Sequence, residues 1–196
     1  MKTTIILLVL GGLLFISWNT LTTTKTEMQN YQVLKKYKGF EVRMYPPAVF
    51  ASVTKQGEMM DIGNQGFRDL AGYIFGDNQE GNKIAMTAPV YINPDKEDKN
   101  KSEMSFVMPQ EYSLNNLPQP KNSSIKLWKS DSVVVAVLTF GGFANNKDIA
   151  KKQEELKALI LESKLQHKNN FKYMSYNPPY QLVNRRNEVS VDLVNF

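Results

Sequence analysis

One order of local patterns runs through this chain twice, and that duplication restricts the fold more than any single segment does. In the first half Phe40, Val42 and Met44 alternate with Glu41, Arg43 and Tyr45, and after Pro46-Pro47 a second extended run covers residues 48–54. Alternation with period two marks strands, and the prolines mark their junction because proline has no N–H for a ladder. Phe67, Leu70, Ala71 and Ile74 then fall at i, i+3, i+4 and i+7, the spacing of one helix face. Asp61 and Asn64 are the candidate N-caps of this helix and Gly76 its stop. Two extended runs follow, residues 83–92 and 104–109, separated by a charged hairpin loop at 95–103.

The second half repeats that order. A β-branched run at 133–140 leads through Gly141-Gly142 to Asn145 or Asn146 as N-cap. A helix then carries Ile149, Leu156, Leu159 and Ile160 on one face and is expected to end near His167. Extended runs at 171–176 and 188–194, with Pro178-Pro179 between them, close the chain. Two strand–helix–strand–strand halves predict an α+β fold, either a distorted β-barrel or a curved antiparallel sheet, with the two helices packed outside. A chain of 196 residues buries roughly 70% of its unfolded surface in one core, so no covalent staple is required, and the sequence has no cysteine.

The same composition removes several function classes. Without cysteine there is no thiol nucleophile, Cys-ligated zinc or iron–sulfur cluster, and with His167 as the only histidine no site can use two imidazoles. The net charge is +5. Its lysines form only small groups, Lys35, Lys36 and Lys38 and then Lys96, Lys99 and Lys101, each with acidic or polar neighbours. That distribution predicts a solvated basic surface and no nucleic-acid partner. No nucleophile elbow, zincin, phosphate-loop or dinucleotide fingerprint is present, and no enzymatic activity is expected. His167 is read as a cation at a helix end, complementing the dipole. Met44, Met59, Met60 and Met86 either pack ordinarily or line an adaptable apolar pocket, and packing is the expected use. Glu188, next to Arg185-Arg186, reads as part of a structural ion-pair network.

Residues 1–24 read separately from the rest. Lys2 precedes an apolar run at 5–16, followed by Ser17, Trp18, Asn19 and a threonine-rich stretch. A positive start and an apolar run of about 7–15 residues is the export pattern, whereas a full helical span needs about 20. Residues 1–24 are therefore expected to be a signal peptide, or a retained N-terminal membrane anchor with Trp18 at the interface. Residues 25–196 form the domain, placed outside the cytoplasmic membrane, in the periplasm or its equivalent.

Six segments of this domain stand in a familiar order: FEVRMY at 40–45, GYIFGDN at 72–78, KIAMTAPV at 83–90, FGGF at 140–143, YNPP at 176–179 and RRNEV at 185–189. In that order and approximate spacing the chain resembles the SOUL haem-binding family, from about Tyr31 to Phe196. The resemblance implies a distorted barrel built from two such halves, and a tetrapyrrole ligand, haem or porphyrin, bound without a covalent link. It implies a groove in which Asn64, Phe67, Arg68, Ala71 and Gly72 face the ligand from the first helix. Tyr180 and Gln181 would contribute from the loop after Pro178-Pro179. Phe67 suits an apolar macrocycle and Arg68 a propionate. Ala71 and Gly72 bring less bulk and charge than the methionine and lysine of some members. Met44 stands where some members carry histidine, which makes it the candidate axial ligand. Two other readings compete: an effector-binding domain that captures amphipathic cations on a buried carboxylate, for which Glu188 is the candidate, and an envelope interaction module without a small ligand.

Overall fold

Residues 26–95, 97–98 and 100–196 are described by the structure, a computed structural model. The segment 1–24 and two of the lysines grouped above, Lys96 and Lys99, lie outside the described residues. The first half contains strands β1 (Glu27–Met28), β2 (Gln32–Lys36), β3 (Glu41–Tyr45) and β4 (Val49–Gln56), helix α1 (Gly63–Ile74), and strands β5 (Thr87–Ala88), β6 (Val90–Pro94) and β7 (Lys101–Val107). The second half contains β8 (Lys126–Lys129), β9 (Val133–Phe140), helix α2 (Asn146–Glu162), β10 (Gln166–His167), β11 (Lys172–Ser175) and β12 (Asn187–Val194). No helix among the described residues is long and apolar enough to cross a membrane.

The main sheet is antiparallel and runs β2-β3-β9-β12-β11-β6-β7-β4-β8, with β10 paired beside β12. This order is close to a palindrome about the β11–β6 junction. Each half has the sequence lead strand, strand, helix, strand, strand: β3-β4-α1-β6-β7 and β8-β9-α2-β11-β12. The lead strands are exchanged. β3 pairs with β9 of the second half, and β8 pairs with β4 of the first. The exchange extends the expected four-element halves by one strand each. Lead strand β8 carries no strong sequence signal, since it is four residues long with lysine at both ends.

The fold class is as expected, α+β with a curled antiparallel sheet and two helices. Alternation decides what each face buries. On the helix-facing side Val42, Ala51, Val53, Ala136, Leu138, Val189 and Val191 meet Leu70, Tyr73 and Ile74 of α1 and Ile149, Leu156 and Ile160 of α2. α1 packs on β4 and β7, and α2 on β9 and β12. On the opposite side Tyr45, Phe50, Tyr91, Ser105, Trp128, Val135 and Ser190, drawn from seven different strands, line a single small cavity. A flat sheet cannot bring seven strands to one point, so this helix-free face is the concave one.

Three local expectations are corrected. Residues 83–86 form no strand; pairing starts at Thr87 and breaks at Pro89, which cannot donate. Neither Asp61 nor Asn64 caps α1. Ile62 is the N-cap and makes no side-chain bond, because the chain already turns through 58–62, where Glu58 and Met60 carbonyls accept the incoming N–H groups. α2 ends at Glu162, so His167 is on β10 opposite Leu193 and does not complement that dipole. Its Nδ1 accepts from the Asn169 N–H at 3.0 Å. The expected stop at Gly76 is present: Gly76 has φ +114°, and the Gly76 and Asp77 N–H groups return to the Tyr73 and Gly72 carbonyls, the bonding of a Schellman cap. At α2, Asn145 is the N-cap and forms a reciprocal capping box with Asp148.

Candidate functional site

The α1 residues singled out from the sequence share one outward stripe. Leu70, Tyr73 and Ile74 are turned into the core, which leaves Asn64 and Arg68 exposed and Ala71 and Gly72 half-buried. Phe67 is 40% exposed and rests edge-on against Phe106 of β7, ring centroids 5.3 Å apart. Phe75, four residues after Ala71 and missed by the sequence reading, is 63% exposed. Between these two rings the surface is low. A Cβ at Gly72 would find only the Asp77 Cβ, at 4.0 Å. The stripe is thus a shelf with an aromatic ring at each end and a guanidinium beside it.

Tyr180 and Gln181 sit in the loop between β11 and β12, which is held by its own polar groups. Arg185 Nη1 donates to the Pro178 and Gln181 carbonyls, at 2.8 Å each, and Asn177 Nδ2 donates to Gln181 Oε1 at 2.9 Å. Residues 141–146 connect this loop to α1. The Arg185 guanidinium lies 4.5 Å from the Phe143 ring centroid, Asn187 Nδ2 donates to the Gly142 carbonyl, and Asn146 Oδ1 accepts from the Met60 N–H just ahead of α1. Met44 is elsewhere. It lies on the helix-facing side of β3, as its alternation with Arg43 predicts, opposite Val134 of β9, the strand that α2 covers. Met59, Met60 and Met86 are partly buried against the core, so they serve packing.

The concave face holds a polar cluster that sequence spacing could not assemble. Arg43 lies on the side of β3 opposite Val42 and Met44, as the alternation predicts, and there it is buried. Its Nη1 lies 3.1 and 3.0 Å from the two oxygens of the fully buried Glu188. Glu188 Oε1 also accepts from Thr139 Oγ1 at 2.9 Å and from Arg186 Nη2 at 2.7 Å, and Oε2 from Tyr176 Oη at 2.7 Å. Burial opposes the Arg43 charge, but Glu188 and the bond to Tyr45 outweigh it and leave the guanidinium above its ordinary pKa. Burial, then the Glu188 charge, pushes the Tyr176 phenol up. The strap before β2 closes over this cluster: Arg43 packs 4.3 Å from the Tyr31 ring, Arg186 Nη2 donates to Tyr31 Oη at 3.3 Å, and Tyr91 Oη donates to Gln29 Oε1 at 2.6 Å.

Gln29 touches two cavities, of about 220 and about 80 Å³. Both are below the roughly 300–1,000 Å³ of a typical ligand pocket. Neither is large enough to enclose a tetrapyrrole.

The model of the SOUL heme-binding proteins matches residues 26–192. This chain belongs to the SOUL heme-binding protein family. Relatives of this SOUL protein include heme-binding protein 2 of Mus musculus, 34% identical over 159 residues that cover 76% of each chain. Heme-binding protein 1 of Bos taurus is 29% identical over 81% of this chain and 87% of its own. Among solved structures, the C-terminal domain of EcmrR matches with a TM-score of 0.60 at 10% identity, covering 85% of this chain and 99% of its own. A hydrolase from Listeria innocua matches with a TM-score of 0.57 at 9% identity, covering 91% and 97%. At such identities these two structures share the SOUL protein's fold and nothing further.

Proposed function

We propose that the protein is a non-enzymatic tetrapyrrole-binding protein that holds haem or a porphyrin against the outward stripe of α1. The observation that carries this reading is the shelf itself: Phe67 and Phe75 stay exposed at either end of small Ala71 and Gly72, with Arg68 alongside. The residues suit the group. Aromatic rings and a low surface match a flat apolar macrocycle, and a guanidinium matches a propionate. Phe67 and Phe75 would contact the ring, Arg68 would pair with a carboxylate, Asn64 would border the shelf, and Tyr180 and Gln181 would form its lip. Bound haem would supply an iron centre and a visible absorption band; the chain's own residues supply contact area and charge. Met44, on the α2 half of the sheet, is a secondary candidate, and contacts along α1 provide most of the affinity in this reading.

Family membership and the names of the relatives support a heme-type ligand. Capture of a cation by a buried carboxylate is less well supported, because Glu188 already accepts from two arginines, a tyrosine and a threonine. The export pattern of residues 1–24 supports an extracytoplasmic location, with the segment either removed or retained as an anchor. An absorbance titration with haemin and with a metal-free porphyrin tests the binding. The expected result is a saturable Soret shift with haemin and saturable quenching of porphyrin fluorescence. No saturation with either compound refutes the proposal.

A further inference from the structure

The loop between β11 and β12 presents apolar side chains to solvent. Tyr180 is 83% exposed, Leu182 73% and Val183 71%, and Phe143 in the neighbouring loop is 59% exposed. Isolated exposed apolar residues are ordinary, whereas a contiguous group marks an interaction site. The loop is a built one. Besides the Arg185 and Asn177 bonds, Gln181 Nε2 donates to the Val183 carbonyl at 3.0 Å and the Arg186 N–H donates to Asn177 Oδ1 at 2.6 Å. Its polar groups are turned inward on one another and its apolar side chains project. Residues 169–187 contain no Asp or Glu; Arg186 is paired with Glu188 and Arg185 is held by the loop carbonyls, while Lys147 on the neighbouring segment is exposed.

The chain also arrives from this end of the sheet. β1 pairs with Thr87 and Ala88, Val90 pairs with Ser175, and the loop leaves β11 at Ser175. Ahead of β1 the sequence holds the apolar run at 5–16, and residues 17–25 between that run and Thr26 span at most about 30 Å when extended. An apolar run held in a bilayer would therefore keep this loop within reach of the same surface.

We infer that residues 180–183, together with Phe143, form a membrane-contact element that seats in the interfacial layer of an anionic bilayer. Aromatic and aliphatic tips with the exposed Lys147 on the neighbouring segment suit that layer, where apolar bodies are buried and cations meet lipid phosphates. A protein partner of ordinary affinity draws on about 20–30 residues a side, which two loop tips do not offer. The inference goes beyond tetrapyrrole binding, because a lipid-facing loop acts whether or not α1 holds a macrocycle.

The absence of native cysteine makes the test direct. The full chain carrying Leu182→Cys is labelled with an environment-sensitive fluorophore and mixed with vesicles of equal parts phosphatidylglycerol and phosphatidylcholine, with and without a nitroxide in the upper acyl chain. Leu161→Cys, equally exposed on α2, is the control. The expected result is a blue shift and nitroxide quenching at position 182 and neither at 161. Adding Val183→Asn to a chain labelled through Phe143→Cys should diminish the same response. An unchanged spectrum at 182 overturns the inference, as does an equal response at 161. A shift at 182 that grows with protein concentration in the absence of lipid assigns the loop to self-association and also overturns it. Phe67→Ala separates the two proposals, since it should weaken haemin binding and leave the probe response intact.

Discussion

At the scale of single residues, the decisive distinction is between an exposed aromatic and a buried charge. Phe67 keeps 40% of its surface in solvent, so Phe67→Ala should cost clearly less than the roughly 3–5 kcal/mol of a fully buried phenylalanine, while porphyrin affinity falls. Urea denaturation and fluorescence titration measure the two effects, and a large stability loss with unchanged affinity would return Phe67 to the core. Glu188 behaves in the opposite way. Glu188→Gln removes the buried carboxylate of the pair and leaves Arg43 with Glu41, 2.9 Å away, as its remaining counter-charge, so it should destabilise by roughly 3 kcal/mol, the low end for a broken buried pair, read as a lower urea midpoint at unchanged slope. Haemin affinity should be retained, because the cluster faces away from α1. At Met44 the substitution to Leu nearly conserves volume and should cost under about 1.5 kcal/mol with haem affinity nearly unchanged. A fall of more than tenfold, about 1.4 kcal/mol, for haemin alone would identify Met44 as an iron ligand.

At the scale of elements, the two helices are similarly placed but start differently. α2 opens with the Asn145–Asp148 capping box, whereas α1 is entered through a turn whose own carbonyls accept the first amides. Asn145→Ala should therefore lower stability by about 1 kcal/mol, and Asp61→Ala should stay within about 0.5 kcal/mol of the parent. Equal losses in thermal melts of the two variants would contradict this assignment. A cap at Asn145 or Asn146 and the glycine stop at Gly76 were visible in the sequence because both act within one turn. The uncapped start of α1 was not, since Asp61 and Asn64 carry the same local signal as a true cap.

At the scale of the whole molecule, the fold buries several phenols, wholly or in part. Burial is the leading cause that raises Tyr45, Tyr73, Tyr91, Tyr173 and Tyr176 above the ordinary value of 10.0, with Tyr73 at about 12. A raised phenol keeps its proton in the folded state after the unfolded chain has released it. The stabilisation is therefore complete below pH 10.0 and, for Tyr73, is lost as the pH rises towards about 12. The expected outcome is unfolding on the alkaline side, with a block of tyrosines ionising only as the fold opens, followed by absorbance at the phenolate band alongside far-UV circular dichroism. Tyrosines that ionise normally while the circular dichroism stays native would disprove it.

The sequence by itself determined the duplicated order of strands and helices, the run that becomes β9, the buried face of α2 and the family, because each rests on periodicity or on residues close in the chain. It also placed Met44 on the side of Val42, since alternation along one strand needs no partner. Only the tertiary structure decided that β3 and β8 exchange halves, and so that Arg43 meets Glu188 145 residues away inside a concave face. Strand pairing between distant segments is set by how the two halves bury their apolar faces together, and nothing in the FEVRMY or RRNEV segments records which strand will lie beside them. The same cause explains Phe67 and Phe75. Helical spacing names a face, but how far β4 and β7 cover that face depends on where α1 settles on the sheet.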